Sequence, residues 1–196
     1  LGHSAFYAIG AYVAAVLMTQ LDMPFYLTIP IAAAVCFVFG FLFGLPALRL
    51  EGVYLALATF ALAIATPQIL KFKPIEHLTG GVQGLALFHL KPEAPFGLPF
   101  DQDQWTFYVT FAVTLLMFFF AFSLVNSRSG RAMKAIRDNQ IAAKVTGINL
   151  SLFKTLTFGV SALFTGVAGA LSALLIAFVA PDSFQITLAI AIFVGM

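Results

Sequence analysis

The chain has 196 residues, 61% of them hydrophobic and only 9% charged, with a formal net charge of +2. Soluble domains carry about 25% charged residues, and a core of this size cannot hide so many apolar side chains, so lipid is the expected solvent. A single cysteine, Cys36, excludes an internal disulfide and a cysteine-based metal cluster, and is read as a small residue packed against lipid or another helix.

The chain opens directly on an apolar run, residues 4–21, without an initiator Met or a basic flank, which is not the pattern of a signal peptide. Further apolar runs follow at 25–46, 52–70, 105–125 and 153–178, each close to the roughly 20 residues that a helix needs to cross a bilayer. A last run, 185–196, stops about ten residues in, so a piece of a longer chain is expected. Lipid offers no partners to backbone N–H and C=O groups, which favours helices. "AAVCFVFGFLFGL" is apolar on every side and lacks the alternation of a membrane β-barrel. The expected fold is therefore an all-α, polytopic transmembrane bundle of five to six spans, forming one domain over 1–196.

Orientation follows from Lys and Arg. The link 126–152 carries Arg128, Arg131, Lys134, Arg137 and Lys144, with Lys154 just beyond and only Asp138 opposing. The positive-inside rule places it in the cytoplasm. Arg49 and Glu51 then also lie inside, and Asp22 and the link 71–104 lie outside, which leaves seven basic residues inside and three outside. The outer link holds "LTGGVQGL" and "KPEAPFGLPF", whose glycines and prolines break it into turns. Trp105, Phe107 and Tyr108 open the next span at an aromatic-belt position.

Within "SRSGRAMKAIRDNQIAAKVTGIN", residues 127–149, the spacing predicts two short helices. Ser129 is placed to cap "GRAMKAIR", Asp138 and Asn139 to end it and cap "QIAAKV", Gly147 to take a positive φ, and Asn149 to cap the next span. Three uses are open: a basic loop that only fixes topology, a surface helix on anionic lipid through Met133, Ile136 and Ile141, or a docking element. Two capped helices with small residues at Ala132, Ala135, Ala142 and Ala143 favour docking.

Inside the spans, Thr157, Ser161, Thr165, Gly169 and Ala173 recur at steps of four, and Thr59 and Thr66 lie seven apart, with Pro67 placed to kink or end their helix. Both sets serve either helix packing or the lining of a path for a small, overall neutral solute. No G-x-x-x-x-G-K-[ST] motif occurs, so the chain is not expected to hold ATP phosphates. His3, His77 and His89 lack zinc-site spacing, and no paired carboxylates lie within a span, against an enzyme or a proton-coupled carrier. Nothing points to nucleic acid.

"AIRDNQIAAKVTGIN" resembles the cytoplasmic coupling segment of ABC-importer permeases of the branched-chain amino acid (Liv) type. "LGHSAFYAIGAY", "GLPALRLEGVYLALATFAL", "LTGGVQGL" and "GVAGALSALLIAFVAPDSF" agree with that family in the same order, across essentially the whole chain. In the wider importer motif a glutamate often precedes the two alanines; here it is Ile141. The resemblance implies a type II-like permease fold in a bacterial inner membrane. It implies a second permease subunit, two cytoplasmic ATP-binding subunits that carry ATP and Mg, and a periplasmic binding protein. The coupling residues would be Arg128, Arg131, Ala132, Lys134, Ala135, Arg137, Asp138, Asn139, Ala142, Ala143 and Gly147. Thr79, Gly80, Gly81 and Gly84 would face the binding protein. The alternatives are a permease of the same family for urea, short amides or other small solutes, and a passive channel or secondary carrier.

Overall fold

The computed structural model describes residues 2–47, 53–87, 101–184 and Val194. The helices are α1 (His3–Leu21), α2 (Phe25–Ala47), α3 (Val53–Leu70), α4 (Glu76–Thr79), α5 (Gln102–Asn126), α6 (Arg128–Asp138), α7 (Gln140–Val145) and α8 (Leu150–Ile176). Two short strands, β1 (Leu85–Ala86) and β2 (Phe178–Val179), and two 3-10 turns, Lys73–Ile75 and Pro181–Phe184, complete the described chain. Among the described residues four helices, α1, α2, α5 and α8, are long and apolar enough to cross a membrane. α3 has 18 residues, about 27 Å at 1.5 Å per residue. The expected run 185–196, apart from Val194, and the segments 48–52 and 88–100 with Arg49, Glu51, His89 and "KPEAPFGLPF" lie outside the described residues.

α8 is the central rod, with α1 and α2 against it. Lipid gives apolar helices no drive to associate, so small residues that allow close approach must do that work. A Cβ on Gly10 of α1 would strike the backbone of Gly166, and one on Gly169 would strike the carbonyl oxygen of Tyr7. On its other side α8 meets α2, where Gly40 lies against Ala162 and Gly44 against Thr155. Around these contacts Ala8, Ala11, Tyr12, Ala15, Ala170 and Leu174 form a buried core. Pro67 does not end α3, which continues to Leu70.

α5 begins with a capping box: the Asp101 carboxylate accepts the Gln102 N–H at 2.9 Å, and the Gln104 side chain accepts the Asp101 N–H. It touches the bundle through Val113, Met117 and the Phe120–Phe164 ring pair, while Phe111, Leu115, Phe118, Phe119 and Phe122 are exposed, as suits a helix solvated by lipid. Thr106, Thr110 and Thr114 each donate to the carbonyl four residues back, so their hydroxyls ask nothing of the apolar surroundings.

At the end of the bundle remote from α6 and α7, β1 and β2 pair antiparallel, Leu85 opposite Val179 and Ala86 opposite Phe178. Leu87, Val179 and Phe184 close the core there. Lys71 and Asp182 form an ion pair joining α3 to the turn after α8.

Candidate functional site

The basic segment is two helices set at a corner. Ser127, not Ser129, caps α6: its hydroxyl oxygen accepts the Gly130 N–H at 3.2 Å, and the helix starts at Arg128. The choice is made by the end of α5, because the Ser127 hydroxyl also donates to the Leu124 carbonyl at 2.6 Å, joining both helix ends through one side chain. Asn139 is extended, and its side-chain oxygen accepts the N–H groups of Ile141 and Ala142, each at 3.0 Å, to cap α7. Asp138 closes α6 without capping α7, and is held by the Arg137 guanidinium at 3.0 Å. Gly147 has φ 84, the left-handed region that glycine enters without a Cβ penalty. Asn149 then caps α8 through the Leu152 N–H at 3.2 Å.

The segment turns one face inward. Ile136 and Ala143 are buried, Met133, Ala132 and Ala135 are half-buried, and Lys154 of α8 donates to the Gln140 side chain at 2.9 Å. Arg131 reaches back to the Asn126 carbonyl at the end of α5, 3.2 Å away, the favourable place for a cation at a helix C-terminus. The outward face carries Ile141 and Val145, 79% and 84% exposed and one turn apart, with Ala142 and Lys144 also exposed and Arg128, Lys134 and Arg137 exposed on α6. Ile141 and Val145 thus form an exposed apolar pair amid basic side chains. Of the apolar residues expected to face lipid, only Ile141 projects.

A second feature is a half-open pocket on the bundle. Where α1, α3 and α8 meet there is a cavity of about 300 Å³, and His3, Thr59 and Ser161 contribute its polar atoms. His3 Nε2 and Ser161 Oγ are 2.9 Å apart and share a hydrogen bond. The Thr59 hydroxyl donates to the Ala56 carbonyl of its own helix at 3.0 Å. Ser161 lies eleven residues past Leu150 on α8, a rise of about 16 Å along the helix. The other intramembrane residues picked out from the sequence lie elsewhere. Thr66 and Thr165 donate to carbonyls four residues back, at 2.8 Å each. Gly169 and Ala173 are buried in helix packing, while Thr157 is exposed. The sequence marks His3 as a helix-start residue suited to ordinary hydrogen bonding, and the structure supplies the partner, Ser161, which lies 158 positions away and which no local pattern signals.

The third feature is the glycine turn at the opposite end. The Thr79 hydroxyl donates to the Leu70 carbonyl at 2.9 Å and accepts the Gly81 N–H at 3.3 Å, fastening the turn to the end of α3. Gly80, Gly81 and Gly84 all have positive φ, and Gly84 sits against β2. These four residues shape the turn; Val82, 63% exposed, and Gln83 project from it. Among the described residues no cluster of His, Cys, Asp or Glu could hold a metal ion.

A family model described as "Branched-chain amino acid transport system / permease component" matches residues 1–196. The chain is 33% identical over 222 residues to the high-affinity branched-chain amino acid transport system permease protein LivM of Escherichia coli (strain K12), covering 100% of this chain and 52% of that protein. The LivM of Salmonella typhimurium gives the same identity and coverage. A probable branched-chain amino acid transport permease protein LivM of Methanocaldococcus jannaschii is 25% identical over 149 residues, 76% of this chain and 41% of that protein. The chain spans about half the length of the first two relatives. No solved structure matches.

Proposed function

This chain belongs to the family of branched-chain amino acid transport permeases, a multi-pass membrane family, and from that premise we propose that it is the membrane-crossing part of an ATP-driven importer. Its cargo would be branched-chain amino acids, captured outside by a periplasmic binding protein and passed through a pair of permease subunits in a bacterial inner membrane. Two cytoplasmic ATP-binding subunits would hold ATP and Mg. The residues 127–149 are their docking segment in this reading, with Ile141 and Val145 as the apolar knob and Arg137, Lys134 and Lys144 around it. The tip at Val82 and Gln83 is the part of the glycine turn free to meet the binding protein.

The observation that carries the proposal is the corner of α6 and α7. It is capped at both helix starts, anchored to α5 by Ser127 and Arg131 and to α8 by Lys154, and carries the exposed pair Ile141 and Val145 amid basic side chains. A push on such a corner moves α5 and α8 with it. Nucleotide can drive alternating access only if it binds one arrangement of the helices better than the other, and this corner is the part built to carry that bias.

The test uses the full-length protein assembled with its partners. Replacing Arg131, Arg137 and Gly147 together with alanine is expected to uncouple ATP hydrolysis from leucine uptake while membrane insertion is retained. Normal uptake by that triple variant would show that the segment is not the coupling element.

A further inference from the structure

At the end of the bundle remote from α6 and α7, the turn Pro181–Phe184 lies against α1 and α3. Its backbone is pinned on both sides. Ala177, which ends α8, has φ 56, a left-handed conformation uncommon for a residue other than glycine, and its carbonyl accepts the Leu87 N–H at 2.8 Å. Pro181 and Phe184 are buried, and the Phe184 ring packs on Tyr7 and Tyr12 of α1, with centroids 5.9 and 6.1 Å apart. Between these anchors the Asp182 side chain is 54% exposed, and its carboxylate pairs with Lys71 at the end of α3. Apart from the Thr79 bond to Leu70, α3 is held mainly by packing on α1 and on this turn, while its Leu57, Ile64 and Ile69 are exposed.

A buried polar atom beside this turn lacks a partner. Tyr12 is 3% exposed, and its hydroxyl makes no hydrogen bond. A buried phenol normally finds one. The Asp182 carboxylate is near enough for its charge to act on that hydroxyl, and its two oxygens can accept several hydrogen bonds. Asp182 therefore has two partners to choose from, the Lys71 ammonium and the Tyr12 O–H. The balance between them is close. An ion pair this accessible to solvent contributes little, and leaving a buried hydroxyl unpaired costs at least as much.

We propose that Asp182 is a two-position latch, which either holds Lys71 and fastens α3 to the turn after α8, or turns its carboxylate to the Tyr12 hydroxyl and releases the end of α3. The structure shows the first position. In the second, rotation of the Asp182 side chain on its pinned backbone lets Tyr12 donate to the carboxylate, and the Lys71 ammonium goes to solvent. The new hydrogen bond offsets the lost ion pair, so α3 can part from the turn without leaving Asp182 or Tyr12 unpartnered. The latch goes beyond the importer reading above and does not depend on it.

The test reads the Tyr12 hydroxyl directly. A tyrosine fluorinated beside its hydroxyl is placed at position 12 alone, in the full-length protein in lipid nanodiscs, and its fluorine resonance reports whether the hydroxyl donates. Lys71→Met is expected to shift that resonance, raising the ratio of bonded to unbonded hydroxyl up to about fivefold, the worth of a part-exposed ion pair. Lys71→Arg, which keeps the cation, should match the parent. Asp182→Asn loses the ion pair but keeps an acceptor for Tyr12, and should shift the resonance in the same direction as Lys71→Met. Adding Asp182→Ala to Lys71→Met removes the acceptor and should return the resonance towards the parent position. A resonance that Lys71→Met leaves unmoved overturns the latch. So does a shift that survives Asp182→Ala, because it then reports altered packing around the ring and not a new acceptor.

Discussion

Gly147 and Gly169 both sit where another residue does not fit, for different reasons, and substitution separates them. At Gly147 a Cβ meets nothing within 4 Å, but φ is 84. Gly147→Ala therefore carries only backbone strain, on the order of 1–2 kcal/mol. At Gly169 a side chain would run into the Tyr7 carbonyl oxygen, and neither helix backbone can yield without repacking the core. Gly169→Leu is expected to cost more than the 1–3 kcal/mol usual for overpacking and to lower the yield of assembled permease sharply in size-exclusion chromatography. Unchanged assembly and uptake would show that this face of α8 looks at lipid. The sequence made these glycines visible as a small-residue stripe and a helix end. It left open whether Gly169 packs or lines a path, because spacing on one helix does not say which helix lies opposite.

At the scale of elements, most caps were legible and one was displaced. Asn149 stands before a helical pattern and caps it, whereas in "RDNQ" both Asp138 and Asn139 are candidates and only Asn139 caps α7. In "SRSG" two serines compete, and the structure selects Ser127 because the carbonyl at the end of α5 claims its hydroxyl, a fact about a neighbouring element. The spans were legible for a stronger reason. Backbone polar groups in lipid must bond internally, so a long apolar run has essentially one solution. Two-residue strands such as β1 and β2 leave no periodicity to read, and their pairing is decided by the turn at Gly80–Gly84 docking on the end of α8. Asn139→Ala removes the acceptor for two N–H groups at the start of α7 and is expected to cost about 1 kcal/mol. Hydrogen exchange of the full-length protein should then quicken at Ile141 and Ala142 while the α8 amides keep their protection. Equal exchange in both proteins would mean that α7 is held by packing alone.

The whole molecule has two differently built ends. Opposite the basic corner, β1–β2, the Lys71–Asp182 pair and the Thr79 bonds tie α3 to α8, and Gln20 of α1 donates to the His77 carbonyl at 3.2 Å. At the other end the α6–α7 corner hangs between α5 and α8 with its apolar knob uncovered. The pocket lined by His3, Thr59 and Ser161 is one that a linear reading could not assemble, since these residues share no local pattern. In the proposed importer, coupling turns on the knob meeting an ATP-binding subunit. A photoreactive residue in place of Ile141, in the full-length importer with all its partners, measures that most directly. Illumination is expected to join the permease covalently to the ATP-binding subunit, with a yield that changes when ATP is bound. A crosslink to the periplasmic binding protein, or to lipid alone, would contradict the account.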